Sequence, residues 1–200
     1  MKSEPAKRYH HGELRSALLA AALQVLERDG PSALSLRALA REVGVSPMAP
    51  YHHFPDRMAL LAAVATAGFE RLQQRKLDTG AAHASTRDAL VAGAANYVHF
   101  ILDNPKLYRL MKGPEFADRA RYPELHQSAA APAKALLMLV AKLLTEHEKQ
   151  APTTLQGSLM LWGLAHGIGT LALDGQLPIK DAANLAQGGA AALIDGWLQG

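Results

Sequence analysis

The residues with the most suggestive chemistry lie between Ser35 and Arg57. The run Ser35-Leu36-Arg37-Ala38-Leu39-Ala40-Arg41-Glu42-Val43-Gly44-Val45-Ser46-Pro47-Met48-Ala49-Pro50-Tyr51-His52-His53-Phe54 sets cations, hydroxyls and imidazoles on an apolar frame. Those groups suit recognition of a polyanion better than catalysis. Ser35, Arg37 and Arg57 fall at expected helix starts, where backbone N–H groups also favour phosphate, and Tyr51 and His52 project from the segment after the turn.

Positioning such groups takes a tight corner between two helices. A helix-turn-helix needs a small residue where the helices cross, a turn residue that tolerates positive φ, and an apolar plug just after it. Ala40, Gly44 and Val45 have those chemistries at those spacings, and Leu39 and Val43 supply the core face. Ser46 reads as the cap of the second helix, with Pro47 in its first turn. A plain helical corner would show the same apolar spacing; the polar outer face is what favours recognition.

The rest of the chain is helical in pattern. Residues 13–28 place Leu14, Leu18, Ala21, Ala22, Val25 and Leu26 on one stripe, and Asp29-Gly30-Pro31 ends it. Ser35 caps the next segment and Gly44 stops it; Pro55-Asp56 opens a longer one with Leu60, Leu61, Val64 and Leu72 inward. Residues 80–85 read as a connection. Helices follow over 86–102, 106–112, 125–147 (with Pro132 as a kink or the true start), 153–173 and 179–198, about nine in all. No period-2 run reads as a strand, so the expected class is all-α.

Composition narrows the function. The 200 residues hold no cysteine, which excludes a disulfide scaffold, thiolate metal ligation and cysteine catalysis, and fits a reducing cytoplasm. The first residues lack the apolar core of a secretory signal, and the stretch 158–173 is too short to span a bilayer. Of the net charge of +3, all lies in residues 1–78, with eleven Lys/Arg against eight Asp/Glu. His10-His11 and His52-His53 invite a metal, but adjacent histidines point to different helix faces and no cysteine helps. No phosphate loop, nucleophile elbow or paired carboxylates are found, so neither an enzyme nor a cofactor is expected.

Residues 9–72 resemble the N-terminal domain of the TetR family of bacterial transcriptional regulators. The resemblance is carried by the amphipathic first helix ending in Gly30, then Leu36-Arg37-Ala38-Leu39-Ala40, Gly44-Val45-Ser46, Tyr51-His52-His53-Phe54-Pro55-Asp56-Arg57 and Leu60-Leu61. Asn104-Pro105-Lys106-Leu107-Tyr108-Arg109-Leu110-Met111 and Leu161-Trp162-Gly163-Leu164-Ala165-His166-Gly167 are similar to one branch of that family, with a Trp-His-Gly type C-terminal domain. The resemblance implies a three-helix DNA-binding domain at 1–57 and an effector-binding and dimerisation domain at 58–200. It implies a homodimer whose recognition helices enter successive major grooves of a palindromic operator. Ser35, Arg37, Tyr51, His52 and Arg57 would then mostly contact phosphates, while Ser46, Pro47, Met48 and His52 face base edges. The side chains of Pro47 and Met48 form no ordinary hydrogen bonds, so readout there would be apolar, such as contact with a thymine methyl. Pro50 departs from the family pattern, which has an aliphatic residue at that site, and puts the register of the reading residues in question.

Trp162 and His166 share a helix face. They read either as a core tryptophan with a satisfied histidine or as the lining of an effector cavity with Phe100, Met111, Phe116 and Met138, apolar groups suited to a hydrophobic or aromatic ligand. Gly163, Gly167 and Gly169 would permit close helix approach. The last two helices (153–173 and 179–198) are apolar nearly all round and so suit a subunit interface. The expectation is a cytoplasmic homodimeric repressor released from its operator by a small molecule. The alternatives are a small-molecule-binding or interaction protein that keeps the helix-turn-helix shape without reading DNA, and, more remotely, an enzyme.

Overall fold

Glycines, prolines and short hydroxyl or carboxylate side chains set the helix ends in the computed structural model, which describes residues 11–80, 84–149 and 152–199. The basic residues Lys2, Lys7 and Arg8, His10, and residues 81–83 of the expected connection lie outside the described residues.

Among the described residues eight α-helices follow in order: α1 (His11–Asp29), α2 (Leu36–Val43), α3 (Arg57–Gly80), α4 (Thr86–Asp103), α5 (Pro105–Met111), α6 (Pro123–Glu146), α7 (Thr154–Leu173) and α8 (Ile179–Gln199). Four short 3-10 helices stand at Pro31–Ala33, Ala49–His52, Pro114–Phe116 and Arg119–Arg121, and the described residues contain no strand. The expected all-α class is observed. Of the nine expected helices, the third is shorter and differently wound: a 3-10 helix over Ala49–His52 replaces an α-helix over 47–54. Pro50 has no N–H to give the carbonyl four residues back, so the carbonyl of Ser46 accepts from Ala49 instead, at 3.0 Å.

The helices sort into two compact units, one running to Gly68 and taking in Lys106–His126, the other made of Phe69–Pro105 and the residues from Gln127 onward. The first has a core of Leu18, Leu26, Leu34, Leu39, Ala40, Phe54, Leu60 and Val64. Its late segment is held by polar ties. Leu107 N–H donates to the Glu27 carboxylate at 2.8 Å, and the Lys106 ammonium donates to the carbonyl of Arg28 at 2.8 Å, at the end of α1. Gly68 allows α3 to lie close by, since a Cβ there would sit 2.6 Å from Met111 Sδ.

In the second unit α4, α7 and α8 pack pairwise. α8 buries small residues (Ala182, Ala183, Ala186, Ala190), which brings the helices close. A Cβ on Gly189 would meet Leu164 Cδ2 at 3.0 Å, and one on Gly169 would collide with Ile101 Cδ1. Gly163 and Gly167, expected to serve close approach as well, face no neighbouring side chain of this chain within 4 Å. Ser85 caps α4, and Thr153 with Gln156 forms a capping box on α7. Arg87 grips Asp195 with two hydrogen bonds, Nε to Oδ1 at 2.6 Å and Nη2 to Oδ2 at 2.7 Å, joining the start of α4 to the end of α8. That fork holds the Asp195 carboxyl below its ordinary range. α6 runs through Pro132 and is, by length and composition alone, apolar enough to cross a membrane; Val140 and Leu143 on it are packed inside the protein.

Candidate functional site

The reading corner starts from two caps. Ser35, with extended backbone, accepts the N–H of Ala38 on its hydroxyl at 3.1 Å and starts α2. Gly44 ends α2 in the left-handed region, at φ 75° and ψ 37°. Its N–H donates to the Arg41 carbonyl at 3.2 Å, while Val45 N–H reaches back to Ala40 at 2.9 Å, the paired closure of a helix that turns sharply. Ala40 is fully buried, so the crossing point tolerates no larger side chain without rearrangement, and Val45 is half-buried.

Beyond Gly44 the chain winds into a short turn. Ala49 N–H donates to Ser46, Tyr51 to Met48 and His53 to Pro50, all three residues back; Phe54 N–H also reaches Pro50, at 2.9 Å. Ser46 contributes its carbonyl to this winding, and the residue at the cap position is Met48, which makes no side-chain cap bond. Ser46 was expected to cap through its side chain; the later helix start at Ala49 displaces it from that place. Pro50 and Phe54 point inward, Phe54 with only 2% exposure and the Arg15 guanidinium 5.5 Å from its ring centre. Ser46, Pro47, Met48, Tyr51 and His52 are exposed, Met48 to 64%.

Charge surrounds this turn. Arg37 and Arg41 are exposed one helical turn apart on α2. Arg41 was missed by sequence reasoning, although its i, i+4 spacing from Arg37 was visible. Arg57 is placed differently from a free surface cation. Its Nε donates to the carbonyl of Leu34 at 3.0 Å and its Nη2 to that of Pro31 at 2.6 Å, so the first residue of α3 ties down the loop before α2. Asp56 caps the same helix by accepting from Ala59 N–H at 2.7 Å.

The six residues considered for an effector fall into two groups. Met111 and Phe116 belong to the first unit, where both are buried and line an open depression of about 290 Å³ with Lys112, Gly113, Pro114 and Ala117. Phe100, Met138, Trp162 and His166 belong to the second unit. There Phe100 is buried, Met138 is 73% exposed and Trp162 is 44% exposed. Trp162 and His166 come together as expected, ring centres 5.6 Å apart, and both reach one hydroxyl that sequence reasoning did not find. Trp162 Nε1 donates to Tyr97 Oη at 3.4 Å, and Tyr97 Oη lies 3.3 Å from His166 Nδ1. The indole can only donate, so the phenol oxygen accepts there. Tyr97 is a buried position on α4, and nothing in its local pattern separates it from core. A depression in this unit of about 380 Å³ is lined by Ser85, Thr86, Leu139, Lys142 and Glu146 among others, and by none of the six. Among the described residues no group of three His, Cys, Asp or Glu could hold a metal ion.

Comparison with known proteins supplies the identity that this geometry suggests. Residues 18–64 match the family described as "Bacterial regulatory proteins, tetR family", and residues 90–193 match "Tetracyclin repressor-like, C-terminal domain". A solved structure from Rhodococcus sp. RHA1, described as a protein with unknown function, is 34% identical, with a TM-score of 0.85 over 96% of this chain and 100% of that one. The uncharacterized HTH-type transcriptional regulator YobS of Bacillus subtilis (strain 168) is 27% identical over 97 residues, which is 48% of this chain and 50% of that protein, so the match spans about half its length. The fold is shared with FadR from Bacillus subtilis, solved in complex with stearoyl-CoA, at 14% identity, a TM-score of 0.71, and 90% and 98% coverage. The two domain matches together span both ends of the fold, and the chain is a member of the tetR family, a DNA-binding transcriptional regulator.

Proposed function

We propose that this protein is a cytoplasmic homodimeric repressor that holds a roughly palindromic operator and leaves it when a small, largely apolar molecule binds. The observation that carries the DNA half is the reading turn. Ser46, Pro47, Met48, Tyr51 and His52 are exposed together, with Ser35, Arg37 and Arg41 exposed on the neighbouring α2. In this reading Ser35, Arg37, Tyr51 and His52 anchor phosphates, and Ser46, Pro47, Met48 and His52 face base edges. Arg57 has two N–H groups committed to backbone carbonyls and serves phosphate only with those that remain.

Dimerisation is supported by apolar groups left outside on the last two helices: Leu155, Leu159, Met160, Trp162 and Leu171 on α7, and Ile179 and Leu185 on α8. A monomer that exposed them all would carry a large apolar patch, and the same patch on a second copy covers it. For the effector, the reading is supported by FadR from Bacillus subtilis, a protein of the same fold solved in complex with stearoyl-CoA. Phe100, Met138, Trp162 and His166 are the side chains of the second unit offered for it here, and Met111 and Phe116 those of the first. Coupling would run through α3, whose residues belong to the first unit up to Gly68 and to the second beyond it.

The direct test is a gel shift with operator selected from random duplexes. Tyr51→Ala and Arg37→Ala should each weaken binding at least several-fold, and binding should fall steeply with salt. Unchanged affinity in both variants would remove the assigned interface. Failure to enrich any duplex would favour the alternative, an interaction protein with a vestigial helix-turn-helix.

A further inference from the structure

The reading turn has few groups with which to read hydrogen-bonding edges. From Ser46 to Phe54 there is no Arg, Lys, Asn, Gln, Asp or Glu, the side chains that pair with guanine, adenine or cytosine in the major groove. The backbone offers little more. Pro47 and Pro50 have no N–H, and the N–H groups of Ala49, Tyr51 and His53 are committed within the turn. What faces outward at its start is hydrocarbon and thioether: Pro47 is exposed, and Met48 is 64% exposed at the cap position. Pro50 and Phe54 are buried beneath the turn, Phe54 with the Arg15 guanidinium over its ring. A methionine left in water at such a rigid corner gains by meeting an apolar surface, and its polarizable, flexible chain adapts to a small one.

We propose that Pro47 and Met48 make this regulator a reader of pyrimidine C5-methyl groups in the major groove, Met48 being the specificity-determining side chain. The C5-methyl is the apolar feature of the major-groove edge; thymine carries it in ordinary DNA, and 5-methylcytosine presents the same group. Arg37 and Arg41, exposed on the adjacent helix, supply positive charge matching phosphates on either side of the bases. This inference rests on the DNA-reading assignment above and goes past it by naming what is read.

The test uses the full chain and two pools of random duplexes, one unmodified and one methylated at CpG cytosines. The unmodified pool should yield sites with thymines at fixed positions in each half. Replacing those thymines by deoxyuridine removes only the methyls, and affinity by fluorescence anisotropy should fall about fourfold per methyl contacted. Met48→Ala should weaken the thymine duplex by a similar factor and leave the deoxyuridine duplex unchanged. Enrichment confined to the methylated pool, lost on restoring plain cytosine, supports the same chemistry with 5-methylcytosine as its source. A selected duplex whose affinity is the same with deoxyuridine, or Met48→Ala weakening both duplexes equally, overturns methyl reading while leaving DNA binding intact. No enrichment from either pool overturns the DNA-reading assignment and this inference with it.

Discussion

Two residues at the corner have effects that single substitutions separate. Gly44 sits at φ 75°, where any Cβ is strained, and Gly44→Ala should cost about 1–2 kcal/mol. For a chain of this size that lowers the melting temperature by about 2–8 °C in a thermal scan. Arg57 offers a sharper contrast. A cation serving only phosphate leaves the stability of the free protein unchanged when removed. Arg57 also holds the carbonyls of Pro31 and Leu34, so Arg57→Met should destabilise the free protein by about 1–3 kcal/mol, read by chemical denaturation without DNA. The caps at Ser35 and Gly44 were legible from residue type alone, because hydroxyl capping and left-handed backbone are local properties. The backbone tie made by Arg57 was not legible, since its acceptors lie 23 and 26 residues away and are main-chain atoms without a sequence signature.

At the scale of elements, the long helices with a clear apolar stripe were read to within a few residues, and the short reading helix was not. Its type turned on two prolines three residues apart, Pro47 and Pro50, whose missing donors favour 3-10 winding. The close approach of α4 and α7 depends on Gly169, and Gly169→Val should cost about 1–3 kcal/mol because Ile101 has to move. The Arg87–Asp195 fork gives a pH signature. Its hydrogen bonds lower the Asp195 pKa in the folded state, so its contribution is present above the ordinary carboxylate range and lost as pH falls through the lowered value. Arg87→Gln should therefore be destabilised against the parent at neutral pH, with the gap closing below about pH 4. Denaturant titrations at several pH values measure it; a gap that persists in acid would refute the pairing as its cause. Tyr97, which joins Trp162 to His166, was invisible in sequence because a buried tyrosine on an apolar stripe looks the same whether or not its hydroxyl is used.

For the whole molecule, all-α class and the helix-turn-helix were legible because periodicity and turn chemistry are local. That residues 106–126 group with the first unit was not, since the bonds from Glu27 and the Arg28 carbonyl that hold them bridge about eighty residues. The proposed dimer belongs to this scale. Leu159→Glu with Leu185→Glu should yield a folded monomer by sedimentation, with helical circular dichroism retained. Its affinity for a two-half-site operator should fall at least about a hundredfold, because the second half-site no longer binds at high effective concentration. A double variant that stays dimeric would place the interface elsewhere. The central claim, that a dimer reads DNA sequence through the turn of Pro47 to His52, is tested most directly by titrating the protein against its selected palindrome and a scrambled duplex, both fluorescently labelled, in the same salt. Two chains per palindrome and a preference of about a thousandfold or more over the scrambled duplex is the predicted result; equal affinity for the two would contradict it.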